Sequence, residues 1–194
     1  MTSATVRAGD VRLVTVDWDD PRAVALRAAM DAEVGPRYAD RRRPREAARY
    51  ESVPGTQVDP AELVATLLAL DAGGEAVGHA ALRRLDGELE VKRVFVVPSA
   101  RGTGVAVQIM LALEDVARQW GAARVVLQTG TRQPEAVGLY TKLGYRPIPV
   151  YPPYTALPPS LCFAKSLSGA ASEESTTHGS PRAGDIEDRQ EKVS

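Results

Sequence analysis

Apolar and polar positions along the chain follow two periods, and the switches between them mark out its elements. Residues 11–16 alternate in the every-second-residue pattern of a strand. Asp19-Asp20-Pro21 then offers an N-cap and a first-turn proline to a helix carrying Val24, Leu26, Ala28 and Met30. Residues 35–57 hold three prolines and the run Arg41-Arg42-Arg43-Pro44-Arg45, and predict a loop with room for a short second helix. Apolar runs at 63–70 and 76–85 flank Asp71-Ala72-Gly73-Gly74-Glu75, a β-hairpin, and Asp86-Gly87 turns the chain into a further strand over 88–97. Val105, Ile109, Ala112, Leu113, Val116 and Trp120 then fall on one face at the helical period, and Gly121 stands where a helix-ending glycine is expected. A short buried strand at 125–128 precedes a helix that Pro134 opens and Gly144 closes, through Val137, Tyr140 and Leu143. Strands at 145–151 and 161–167, with a proline-rich excursion between them, complete the order β-α(-α)-β-β-β-α-β-α-β-β, an α/β domain with a mixed sheet.

Composition narrows this picture. With 194 residues, 44% of them hydrophobic and 25% charged, the chain fits one globular domain, placed at residues 1–167. Residues 168–194 are rich in Ser, Thr, Gly, Asp and Glu, with only Ile186 and Val193 as large apolar groups, so a disordered polar tail is expected there. The 24 basic and 25 acidic residues give a net charge of −1, and no positive field favours nucleic acid or an anionic membrane as partner. No apolar run approaches the ~18 residues of a membrane span, and the N-terminus carries no secretion signal, so a cytoplasmic protein is expected, as monomer or homodimer. The single cysteine, Cys162, cannot form an internal disulfide, and no Cys/His cluster has metal-site spacing. No metal is expected.

The most informative stretch is Val94-Phe95-Val96-Val97-Pro98-Ser99-Ala100-Arg101-Gly102-Thr103-Gly104-Val105-Ala106. A strand runs into a glycine-rich turn and then into an amphipathic helix. Unpaired amides and the dipole make such a helix N-terminus an anion site, and glycines at 102 and 104 allow close approach. A P-loop is excluded because no lysine sits in the turn, and a dinucleotide fingerprint because Val107 replaces the third glycine.

Arg101, Gly104 and Ala106 match the Arg/Gln-x-x-Gly-x-Gly/Ala hallmark of the GNAT superfamily of N-acetyltransferases. Gln133-Pro134-Glu135-Ala136-Val137-Gly138-Leu139-Tyr140-Thr141-Lys142-Leu143-Gly144-Tyr145 resembles that family's second motif, a helix ending in Leu-Tyr-x-x-x-Gly-Phe/Tyr. The resemblance implies the GNAT fold, a mixed, mostly antiparallel central sheet of six to seven strands flanked by helices. It also implies acetyl-CoA as co-substrate and a primary amine, on a small molecule or a protein, as acceptor. Backbone groups of Val94, Phe95 and Val96 would hold the pantetheine arm, and the amides of Gly102, Thr103, Gly104, Val105, Ala106 and Val107 the pyrophosphate, with side chains at 103, 105 and 107 free to vary. Arg101 would assist by charge or stand solvated beside the turn, and Gln133, in place of the usual Asn, would bond the pantetheine.

Two side chains have a place in the chemistry by the same resemblance. Glu90 matches the carboxylate that deprotonates the amine, directly or through water; its plainer reading is a partner for basic neighbours on the sheet. Glu88, nearer the turn, is its substitute. Tyr140 would protonate the departing thiolate, or else pack on the inner face of its helix. His79, on an apolar strand, reads as structural, and His178 lies in the tail. The arginines at 41–45 read as a solvated loop, or as an attractor of an acidic acceptor, and Tyr151, Pro152, Pro153 and Tyr154 as a wall of the acceptor pocket. An acyl-CoA-binding module without activity, or a transferase of a larger acyl group, are the alternatives.

Overall fold

The structure, a computed structural model, describes residues 11–41, 53, 56–156 and 160–167. His178 and the tail expected at 168–194 lie outside the described residues, as do Arg42, Arg43, Pro44 and Arg45 and the side chain of Arg41. Seven strands, β1 (Arg12–Thr15), β2 (Leu63–Leu70), β3 (Ala76–Leu85), β4 (Glu88–Val96), β5 (Arg124–Gly130), β6 (Arg146–Ile148) and β7 (Ser160–Ser166), form one sheet in the order β1-β2-β3-β4-β5-β7-β6. Among the described residues three α-helices accompany them: α1 (Pro21–Val34), α2 (Val105–Gln119) and α3 (Pro134–Lys142). In the stretch expected as a loop with room for a second helix, a 3-10 helix spans Gly35–Arg41, and residues 42–52, 54 and 55 lie outside the described residues.

Each element starts and stops for a local reason. The Asp20 carboxylate accepts from the Arg22 amide at 2.9 Å and caps α1, with Pro21 in the first turn. The Asp71 carboxylate accepts from the amides of Gly73 and Glu75 and ties the β2–β3 turn. Asp86 and Gly87, at φ 49° and 82°, form the paired left-handed turn that suits the twist of the β3–β4 hairpin. Pro147 and Pro149 remove ladder donors, so β6 spans only Arg146–Ile148 at the sheet edge, shorter than the pattern suggested.

The sheet is sandwiched between helices. α2 lies across β2, β3 and β4 on one face, and Ala65, Leu67, Ala69, Ala80, Leu82, Val105, Ile109 and Leu113 form the core there. The alternate residues Leu68 and Leu70, with Phe95, meet Ala23 and Leu26 of α1 on the other. At Gly78 a Cβ would come within 2.7 Å of Ile109 Cδ1 and 3.1 Å of Val105, so α2 presses directly onto β3. Val105 is thus a core residue and not a freely variable one. Trp120, assigned by pattern to the core stripe, is 56% exposed, because it caps α2 and leaves the helical path; Met110 and Ala117 fill the face instead.

Candidate active site

The site arises where two parallel strands part. β4 and β5 are the parallel neighbours in the sheet, and they pair only at Leu89, Glu90 and Val91 against Val125, Val126 and Leu127. Just beyond, β4 carries one extra residue. Ala81 pairs with Lys92 but His79 with Phe95, so three steps on β4 answer two on β3. Arg93 sits in this bulge with φ 57°, and from there Val94, Phe95 and Val96 run free of β5.

The opening is a cleft. Val94, Phe95, Val96 and Arg101 form one wall, Gln133, Ala136, Leu139 and Tyr140 of the α3 segment the other, and Met30 and Glu33 of α1 close it on a third side. Six residues singled out from sequence, Val94, Phe95, Val96, Arg101, Gln133 and Tyr140, are therefore brought together. The contribution of α1 was not foreseen.

Tyr140 is placed by the way α3 ends. Tyr145 donates its amide to the Tyr140 carbonyl at 3.0 Å and Gly144 to Thr141, while Gly144 takes φ 87°. This pattern needs a left-handed residue, usually glycine, and the residue after it packs back on the last turn. Here the Tyr145 ring lies 6.0 Å from that of Tyr140, and Phe163 6.2 Å away on β7. The tyrosine is only 6% exposed, and its hydroxyl bonds to none of the described residues. Burial pushes its pKa above the ordinary value, so it remains a proton donor at neutral pH.

The glycine turn is open. Gly102 and Gly104 adopt φ 75° and 94°, and a Cβ on Gly102 would meet nothing within 4 Å. Gly104 is the N-cap of α2 and has no side chain to occupy the first amides, so those of Val105, Ala106 and Val107 keep the capacity to hold an anion. Arg101 lines the cleft and is also tied into the fold. Its Nε donates to the Val96 carbonyl at 2.9 Å and its Nη2 to Glu33 at 2.6 Å, tying the turn to α1. Glu33, its pKa held down by the Arg101 bond, also receives Arg37, which pairs in turn with Glu135 at the start of α3. These ion pairs link α1 to both walls of the cleft.

Glu90 is fully buried and fully bonded. Its Oε2 receives Nε and Nη2 of Arg83 at 2.8 and 2.7 Å, and its Oε1 the hydroxyls of Tyr151 and Tyr154 at 2.8 and 2.7 Å. Lys92 Nζ donates to the Tyr154 hydroxyl at 2.7 Å, and burial lowers its pKa to about 8. Tyr151 and Tyr154 thus clamp the carboxylate; neither lines the cleft, and Tyr151 and Pro152 line a separate hollow with Glu88 and Arg124. The pair with Arg83 is the plainer reading of Glu90, a partner for a basic neighbour on the sheet; the tyrosine clamp and Lys92 were not anticipated, although the place of Arg83 was legible. Counting outward from the Asp86-Gly87 turn places Arg83 directly opposite Glu90. Glu88 is engaged elsewhere, in a bidentate pair with Arg124 at the far end of β4 from the cleft.

The remaining candidates are structural in setting. His79 is completely buried, with Nδ1 2.9 Å from the Arg93 carbonyl. Cys162 is buried on β7, and burial raises its thiol pKa. Among the described residues no group of three or more His, Cys, Asp or Glu could hold a metal ion, and no helix is long and apolar enough to cross a membrane.

Comparison with known proteins places this architecture. A structure from Klebsiella pneumoniae, assigned by name to the acyl-CoA N-acyltransferases, superposes with a TM-score of 0.64 at 30% identity, covering 81% of this chain and 97% of that one. The PaiA N-acetyltransferase of Thermoplasma acidophilum, solved with coenzyme A, shares the fold with a TM-score of 0.58 at 12% identity over 80% of this chain and 98% of its own. An IAA acetyltransferase from Azospirillum brasilense is 37% identical over 90 residues, 46% of this chain and 59% of that protein. The chain spans about half the length of the curated relatives it matches. Residues 26–145 match the Acetyltransferase (GNAT) family, and with them both cleft walls, the glycine turn and the Tyr140 helix end. The chain belongs to the GNAT family of acetyltransferases.

Proposed function

We propose that the chain moves the acetyl group of acetyl-CoA to a primary amine by direct attack in the cleft where β4 and β5 part. The observation that carries this reading is the cleft itself. It sets the edge of β4 that β5 leaves open, along Val94, Phe95 and Val96, across from Gln133 and Tyr140. The open turn from Gly102 to Val107 follows directly on the β4 wall. In this reading the backbone groups on the β5-facing edge of β4 bond the amides of the pantetheine arm, with Gln133 adding a side-chain bond from the opposite wall. The amides at the start of α2 hold the diphosphate. Arg101 shapes the turn through Val96 and Glu33 instead of reaching the ligand as a free cation.

The chemistry then needs a base for the amine and an acid for the leaving thiolate. An alkylamine with pKa ~10.4 is protonated at neutral pH, and freeing its lone pair there costs about 4–5 kcal/mol. Glu90 is the base for that proton. Because each of its oxygens is already hydrogen-bonded, the proton arrives through a tyrosine hydroxyl: Tyr151, only partly buried, takes it while passing its own to Oε1. Once the amine has attacked the thioester carbonyl, the C–S bond breaks as Tyr140 protonates the leaving thiolate, and the second proton shed by the nitrogen restores the Tyr140 hydroxyl, leaving amide and free thiol. Cys162, buried and with its thiol pKa raised, is poorly suited to carry the acetyl group in between.

A panel of primary amines, from small polyamines to peptide N-termini and lysine side chains, assayed with acetyl-CoA for free thiol tests the reading. Amine-dependent thiol release with intersecting initial-velocity lines is expected. Parallel lines, with an acetylated protein recovered by mass spectrometry, would replace direct attack by an acyl-enzyme route.

A further inference from the structure

We propose that His79 is a positioning residue for the acetyl-CoA cleft: its buried imidazole braces the left-handed Arg93 at the β4 bulge and so sets the course of Val94, Phe95 and Val96. The inference rests on the reading of that cleft as the acetyl-CoA site.

The argument begins with the bulge. A residue with φ near +57° at the first position of such a bulge is normally glycine, because a Cβ is crowded there. Arg93 occupies the position without that freedom, so something must hold it. The extra residue also reverses the facing of the strand. Leu89 and Val91 belong to the α2-side core before the bulge, and Val94 and Val96 pack on that same core after it, leaving Phe95 toward α1. Without the bulge the side chains of the cleft wall would exchange faces, and β4 would keep its course alongside β5. The wall depends on one unfavourable backbone conformation.

His79 is the group in contact with it. The Arg93 carbonyl can only accept, so the ring carries its proton on Nδ1, which donates at 2.9 Å. Nε2 is then bare, and Nη1 of Arg27 meets it at 3.3 Å. Arg27 is itself fixed, donating from Nη2 to the Trp18 carbonyl at 2.7 Å and stacking 3.7 Å from the centre of the Trp18 ring, which packs edge-to-face with His79 at 6.0 Å between ring centres. Tautomer and orientation are therefore set from both sides. Burial, with the charges of Arg27 and Arg93, holds the imidazole neutral. The second tie on Arg93, an ion pair with the exposed Asp31, acts on its side chain and not on the peptide that turns.

Calorimetric titration with acetyl-CoA, alongside thermal melting, tests the brace in the full chain. Wild type that does not bind acetyl-CoA would defeat the assignment of the cleft, a separate failure from that of the brace. Given binding, His79→Leu is expected to weaken it at least tenfold, while His79→Asn, whose amide N–H lies near the position of Nδ1, stays within about threefold. The decisive variant is the double substitution His79→Leu with Arg93→Gly. Glycine adopts the left-handed conformation unaided, so most of the lost affinity should return, which a merely space-filling histidine would not allow. Unchanged affinity in folded His79→Leu, or no recovery in the double variant, overturns the inference. Were His79→Leu too unstable to isolate, Arg27→Met removes the other tether of the ring. A loss of threefold or more is then expected, and no loss counts against the brace.

Discussion

At the scale of single residues, the two groups proposed for proton transfer sit in opposite surroundings, and their variants should behave differently. Tyr140 is held by ring packing and a helix cap, and its hydroxyl is uncommitted among the described residues. Tyr140→Phe should leave the melting temperature nearly unchanged and lower turnover ~10–100-fold, at or below the usual range for a general acid. Full turnover in a folded variant would make the tyrosine a packing residue. Glu90→Gln keeps the shape but leaves the Arg83 guanidinium buried without its carboxylate. A loss of about 3 kcal/mol in urea denaturation is expected, with a rate deficit that shrinks toward pH 9 as the amine deprotonates unaided. A pH-independent deficit would leave Glu90 only its structural role. His79 adds a pH dependence of stability. Its folded pKa lies near 4 against 6.5 for the free side chain, so the unfolded chain binds the proton more readily between those values. Its contribution is complete above pH 6.5 and is lost as pH falls, by about 2 kcal/mol between pH 7.5 and 5. Wild type should lose more stability than His79→Asn over that interval; equal losses would show the ring protonating freely in the fold. Residue identities at the site were legible because Tyr140, Gln133 and Arg101 stand in motifs. Partners were not, because the clamp on Glu90 comes from a loop some 60 residues away, Tyr151 lying at a separation of 61 and Tyr154 at 64.

At the scale of elements, the hydrophobic pattern located the seven strands and three α-helices of the described residues, and caps set their ends more sharply than composition could. The Gly121 and Gly144 stops were visible as glycines after amphipathic runs, and both adopt positive φ, 74° and 87°. Tertiary contact decided what the pattern left open. Trp120 fits the stripe by spacing, but α2 has already ended there. The bulge of β4 leaves a trace in the sequence, since apolar positions slip from 89 and 91 to 94 and 96. Its consequence for the cleft depends on β5, which that pattern cannot show. The packing of α2 on β3 has its own test at Gly78. Gly78→Ala would put a Cβ 2.7 Å from Ile109 Cδ1, the movable end of a side chain, and 3.1 Å from the stiffer Val105. A destabilisation of about 1–3 kcal/mol is expected from thermal or urea melts. An unchanged midpoint would mean that α2 can lift off the sheet without cost.

At the scale of the molecule, function is a consequence of sheet order. A sheet that is antiparallel except between β4 and β5 must bring α2 and α3 to the same seam, and the missing ladder beyond Val91 and Leu127 opens that seam. No single element makes the site: β4 gives one wall, α3 the other, α1 a third side through Met30 and Glu33, and α2 its N-terminus just after the first wall. The claim that this seam holds acetyl-CoA, with its diphosphate on α2, is tested most directly by titrating acetyl-CoA into wild type and Val107→Glu. Val107 is only partly buried in the first turn of α2, where a carboxylate complements the helix dipole, so stability should hold or rise by ~0.3–1 kcal/mol. The same carboxylate would occupy and repel at the anion position. One equivalent of acetyl-CoA should bind wild type, with affinity at least tenfold lower in the variant, ~1.4 kcal/mol. Equal affinities in the two folded proteins would contradict the assignment of the seam.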